Sequence, residues 1–195
     1  MSLPLALARI DQIERALAPP QVATASAAPA VSAASTSAPV AGASFASLLG
    51  DASGSPMTTI AAAELGQAEQ PPGSNDSPRI AQYRTATAGS GVGPWCAYFV
   101  SWVARQAGAP LGDRGEGFGS VDALYAWAQD AGRALPNGPG VVPRSGDLIV
   151  WDEHVGIVER ILPDGRIQTL EGNSSDRVSR NVHHFSDALG YVRMS

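Results

Sequence analysis

The sequence predicts an α+β domain in which helices come first and an antiparallel sheet follows. Three observations carry this. Proline-led helix starts occupy the middle of the chain, short β-branched runs fill the last fifty residues, and the breaks between those runs are too brief for parallel crossovers. The expected sheet has about five or six strands.

Each element has a local cause. Ser55-Pro56 and Ser77-Pro78 both pair an N-cap with a proline suited to the first helical turn. They start helices through "MTTIAAAEL" and "RIAQYRTA", with the turn "PPGSND" (71–76) between them. A third helix is expected from Pro94 to Gln106 or Ala107, stopped by Gly108 and Pro110. A fourth runs from Val121 to Ala131, capped by Ser120 and ended by Gly132. After "PNGPGVVPRSG" the pattern changes to strands: 147–151, 155–161, 166–172, 177–183 and 189–193, with Asp164-Gly165 as one turn.

The region before Ser55 is of another kind. Leu3, Leu7, Ile10, Ile13 and Leu17 put one apolar stripe on a short helix over 1–18. No charged residue occurs from Ala16 to Gly50, and the Ala/Ser/Pro-rich stretch 19–54 reads as a mobile linker. Within it, Phe45, Leu48 and Leu49 form a small apolar island. The domain proper is expected over 55–195. A chain starting near Ser53 should therefore keep its fold and activity; a large loss of thermal stability would show that the terminal helix docks on the domain.

Composition removes several classes of function. Net charge is −5, the thirteen basic residues are all Arg, and they form no run or stripe, so no nucleic-acid partner is expected. A single Cys excludes an internal disulfide framework or a Cys-rich zinc site. No apolar run approaches the ~18 residues that span a bilayer, and no secretory signal pattern opens the chain.

The single thiol, Cys96, lies in "GPWCAYFVSW". On one reading it is core, in a stripe with Phe99, Val100, Val103 and Ala107. On the other, Pro94 as first helical residue sets Cys96 in the first turn. Free N–H groups and the helix dipole there stabilise a thiolate or an oxyanion. A nucleophilic thiol needs a base and the base an orienter. His154 sits where one strand turns into the next, with strand neighbours to fix its ring. Glu171 and Asn173, two apart at a strand end in "TLEGNSSD", face the same way if the extended backbone persists through Gly172. Either would hold the second nitrogen of His154, and Glu171→Gln is expected to be mild because an amide still orients the ring. The His183-His184 pair reads as structural.

The string "ELGQAEQPPGSND…RIAQY…GPWCAYFVSWVARQAG…GDLIVWDEHVGIVE…IQTLEGNSSDRV" resembles the CHAP family, the cysteine- and histidine-dependent amidohydrolases/peptidases of bacteria and phages. The resemblance covers roughly Thr58 to Arg193. It implies a papain-like fold, with Cys96 as nucleophile, His154 as base, Glu171 as its polar partner and Asn173 as a second polar contributor. It further implies cleavage of amide bonds of peptidoglycan. Some relatives bind calcium in an acidic loop before the Cys. "TATAGSGVGPW" has no carboxylate, Asp113, Glu116 and Asp122 are too scattered to replace it, and no metal or cofactor is expected. Asn75 matches a recurrent family feature and is read as a turn residue. The N-terminal region is similar to the N-termini of flagellar rod and basal-body-associated proteins. That implies an export or flagellar apparatus as partner and an extracytoplasmic destination reached without a cleaved signal. Two other readings stand beside the hydrolase: an export-linked adaptor with a degenerate papain-like module, and an intracellular amidase acting on a small peptide conjugate.

Overall fold

A computed structural model describes residues 54–89 and 91–195. The helix expected over 1–18, the linker over 19–53 and the apolar island within it lie outside the described residues. Four α-helices are described: α1 (Pro56–Ala63), α2 (Pro78–Arg84), α3 (Cys96–Gln106) and α4 (Val121–Asp130). Six strands follow: β1 (Ala134–Pro136), β2 (Leu148–Val150), β3 (Val155–Ile161), β4 (Ile167–Glu171), β5 (Ser179–His183) and β6 (Gly190–Val192). A 3-10 turn at Phe185–Asp187 precedes β6.

The strands form one open antiparallel sheet in the order β1-β6-β2-β3-β4-β5. This is the papain-like α+β arrangement expected. The caps fall where the sequence puts them. The hydroxyls of Ser55, Ser77 and Ser120 accept from the N–H groups of Thr58, Ile80 and Ala123. Gly108 and Gly132 follow α3 and α4 at φ 76° and 67°, the left-handed backbone that ends a helix. The strand absent from the sequence reading is β1. "ALP" has no β-branched residue, and only pairing with β6 makes it extended.

Register divides the sheet into two faces. Leu148, Val150, Val155, Ile157, Leu170 and Val192 pack with Phe99, Val100, Val103, Leu124 and Met57 of the helices. The opposite face carries a smaller cluster of Ile149, Val158, Ile167 and Tyr191, with Trp151 and Phe185 against it. Helix α3 is the centre of the main core. Seven of its eleven residues are buried, Cys96 among them.

Candidate active site

Helix α3 begins two residues later than the sequence predicts. Trp95, at φ −120° and ψ 14°, is the N-cap, so Cys96 and not Pro94 is the first helical residue. Pro94 lies before the cap. The N–H of Cys96 therefore has no acceptor within its own helix. What anchors this start is Trp95, which is fully buried against Tyr83 and Phe99 at ring-centroid distances of 5.8 and 6.4 Å. Its indole N–H donates to Glu69 Oε1 over 2.9 Å.

Glu69 is a positioning residue that sequence reasoning missed. It is 3% exposed, and its other oxygen accepts from the N–H of Asn75 at 2.8 Å. Its own N–H donates to the carbonyl of Asp176, in the turn that follows β4. One residue thus ties the start of α3 to the turn that follows β4. A carboxylate 26 residues away in sequence carries no local pattern to signal this. Asn75 has φ 55° and serves the turn, as expected.

Beside Cys96 the β2–β3 turn presents His154. Its Nε2 lies 3.0 Å from Glu171 Oε2, and Cys96 is its other hydrogen-bond partner. With Nε2 engaged, Nδ1 is the nitrogen left for the thiol. Burial disfavours the charged imidazole, but the hydrogen bonds to Cys96 and Glu171 outweigh it and raise the pKa to about 9. Burial likewise opposes ionisation of Glu171. Hydrogen bonds from His154, Thr169 and His183 win, and its pKa falls to about 2.

Glu171 is 2% exposed and receives more than one donor. Asn181 Nδ2 donates to Oε2 at 2.9 Å, His183 Nε2 lies 2.7 Å from Oε1, and the Thr169 hydroxyl also donates to Oε1. The sequence reading of the His183-His184 pair as structural did not include this contact. It lies on the same face of β5 as Asn181, and both reach Glu171 across the β4–β5 ladder. His184 is different: outside the strand, its N–H bonds the Asp187 carboxylate of the 3-10 turn.

Asn173 does not join the group. The extended backbone ends at Glu171, and Asn173 has φ 58°. Its side chain does not hydrogen-bond His154. The amide that supports the carboxylate is Asn181, from the neighbouring strand. The premise that Gly172 continues the strand failed because the chain must turn there. A Cβ on Gly172 would lie 2.5 Å from Phe99 Cβ and 2.9 Å from the Trp95 ring. This glycine lets β4 approach α3 closely enough to set Glu171, His154 and Cys96 together.

Gly156 has a similar role on β3. A Cβ there would meet Glu171 Cγ at 2.7 Å and Trp151 at 3.5 Å. Gly156→Ala is therefore expected to push Glu171 off His154. Hydrolysis should drop at least about tenfold, the scale of a misplaced catalytic group. Circular dichroism should still report a folded domain. Full activity in that variant would show that the carboxylate is dispensable.

The thiol is 4% exposed yet faces an open cleft of about 310 Å³ lined by Pro94, Cys96, Gly119, Ser120, Val121, Asp122, Asp152 and Glu153. A larger pocket of about 520 Å³ lies between 142–145 and 159–161. It is not at Cys96, whereas the smaller cleft is lined by that thiol, so chemistry rather than size selects the smaller one. The core and nucleophile readings of Cys96 are not exclusive: the sulfur is packed on its helix side and approachable from the cleft.

The CHAP domain family model matches residues 87–173. That interval contains Cys96, His154, Glu171 and Asn173, and it ends before Asn181 and His183. The match supports a hydrolase of the amidase or peptidase kind. It leaves out the first 86 residues, and the similarity of the N-terminal region to flagellar-associated proteins gains no support from it. No curated protein and no solved structure matches the chain.

Proposed function

We propose that the domain is a cysteine hydrolase that cleaves amide bonds of bacterial peptidoglycan through a thioester intermediate. The observation that carries this is the chain of contacts Cys96–His154–Glu171 at the first turn of a helix, opening on a cleft. The cysteine thiolate attacks the amide carbonyl carbon, and the carbonyl oxygen takes the negative charge. The N–H of Cys96 and the dipole of α3 stabilise that oxyanion. His154, protonated at Nδ1, gives its proton to the leaving amine as the C–N bond breaks. A water, deprotonated by the same nitrogen, then attacks the thioester and releases the carboxylate product and the thiol. Glu171 keeps the ring oriented and stabilises the imidazolium.

Incubation with purified peptidoglycan, followed by mass spectrometry of the released ends, tests the substrate. New amine and carboxylate ends in a stem peptide, or a freed sugar–peptide junction, are the expected products. An intact sacculus together with cleavage of a small peptide conjugate would reassign the substrate.

The electrostatics set a pH limit. His154 holds its proton below pH about 9 and loses it above. Without that proton there is neither an imidazolium to hold the thiolate nor an acid for the leaving amine. A plot of kcat/KM against pH should therefore fall through an alkaline limb near 9. A plateau continuing to pH 10.5 would contradict the assignment of His154.

We further propose that residues 1–18 direct the protein out of the cell without cleavage. The observation behind this is the apolar stripe from Leu3 to Leu17. Deletion of 1–18 should leave hydrolysis in vitro unchanged while the protein stays inside the cell. Equal extracellular levels with and without the segment would remove the export reading.

A further inference from the structure

We propose that His183 is a positioning residue of this active site, a second imidazole that locks the Glu171 carboxylate in the orientation His154 needs. The proposal rests on the cysteine-hydrolase reading of the site. His183 lies outside the segment matched by the family model and on β5, the strand at the edge of the sheet.

The geometry separates the two oxygens of Glu171. Oε2 takes His154 and Asn181, and Oε1 takes His183 and Thr169. A carboxylate held at one oxygen turns freely about its last torsion, which has broad, roughly two-fold wells. Held at both, it has one plane. His183 reaches Oε1 over 2.7 Å, while its register partner on β4 is Ile167, so both side chains lean along the strands to meet. Trp151 braces the arrangement. Its ring lies 5.5 Å from the His154 ring and 4.6 Å from that of His183. The two imidazoles thus share one carboxylate and one indole, and a shift of either is passed to the other. The remaining ionisable groups of the neighbourhood are Cys96 on α3, Asp122 on α4, and Asp152 and Glu153 in the β2–β3 turn beside the cleft.

The role differs from that of a packing residue in what its loss would change. Without His183, Oε1 keeps only the rotatable Thr169 hydroxyl, and Glu171 spends part of its time turned away from His154. The imidazolium then loses stabilisation, and His154 releases its proton at lower pH. The test uses the full chain with His183→Ala, His183→Phe and His183→Gln. Phenylalanine keeps the ring packing against Trp151 but removes the donor, and glutamine keeps a donor. Proton NMR titration of His154 and the pH profile of kcat/KM are the readouts.

The expected result is that the His154 titration and the alkaline limb of kcat/KM both move down by about one pH unit in the Ala and Phe variants. That corresponds to roughly a fivefold loss in kcat/KM at pH 9, where the protonated share of His154 falls from about a half to about a tenth. KM should be unchanged, and Gln should restore most of the shift. A folded donor-free variant whose His154 titrates as in the parent overturns the proposal, whatever its thermal stability. A parent chain whose Cys96 does not react with iodoacetamide overturns the site reading itself, and the proposal with it.

Discussion

Cys96→Ala is expected to abolish hydrolysis, by roughly 10⁴-fold or more, because no other group in the cleft can form the acyl intermediate. The folded state should barely notice. The sulfur sits in a packed position, so its removal leaves a small void worth about 1 kcal/mol, or about 3 °C in Tm for a domain of this size. The two readouts therefore separate nucleophile from core. A core cysteine would lose stability and keep activity; a nucleophile does the reverse. Iodoacetamide gives an independent measure. The thiol borders an open cleft and has an imidazolium beside it below pH about 9, so alkylation at pH 7 should be fast in the parent and slow in His154→Ala. A fully active Cys96→Ala enzyme would end the hydrolase reading.

What the sequence made legible follows from the range of the signals. Caps, helix stops and strands are local, and Ser55, Ser77, Ser120, Gly108 and the run 155–161 could be placed because each is decided within a few residues. Cys96 and His154 were legible because the chain has one Cys and three His, while the choice of Glu171 among its eighteen carboxylates came with the resemblance. What stayed hidden depends on contacts across the sheet. Glu69 acts through an indole 26 residues away, and Asn181 and His183 act through a register that no single strand reveals. Pro94 misled by two positions. Proline suits a first helical turn, but here the buried Trp95 closes the helix, and its anchoring by Glu69 outweighs the proline preference. Asn173 misled for a related reason: spacing of two implies one face only while the backbone stays extended, and Gly172 against Phe99 is where it stops.

The second large effect concerns the orienter. Sequence reasoning expects Glu171→Gln to be mild, since an amide can hold a ring. The structure argues for a larger loss, on the order of 10²-fold or more, the low end of what acid–base catalysis contributes. Every contact Glu171 makes comes from a donor, so its charge and both its oxygens are used. Glutamine keeps one acceptor oxygen and turns an NH₂ toward donors on the other side. His183 can change tautomer and the Thr169 hydroxyl can rotate, so orientation is partly preserved. The negative charge is not. Burial already opposes the His154 imidazolium, and without the carboxylate that opposition is no longer offset. The alkaline limb should move well below 9, and loss of activity should be smaller at pH 6 than at pH 9. Stability carries a matching signature. The depressed pKa of Glu171 contributes stability that is present above about pH 4.3 and lost as pH falls toward 2. Glu171→Gln should therefore unfold with a shallower acid dependence than the parent. Asn173→Gly is the contrasting variant. It removes the side chain at a left-handed position that glycine adopts without strain, so activity should stay within about twofold and stability should hold or rise slightly. A Glu171→Gln enzyme at parental rate with an unmoved alkaline limb, or an inactive Asn173→Gly enzyme, would reverse the roles of the two residues.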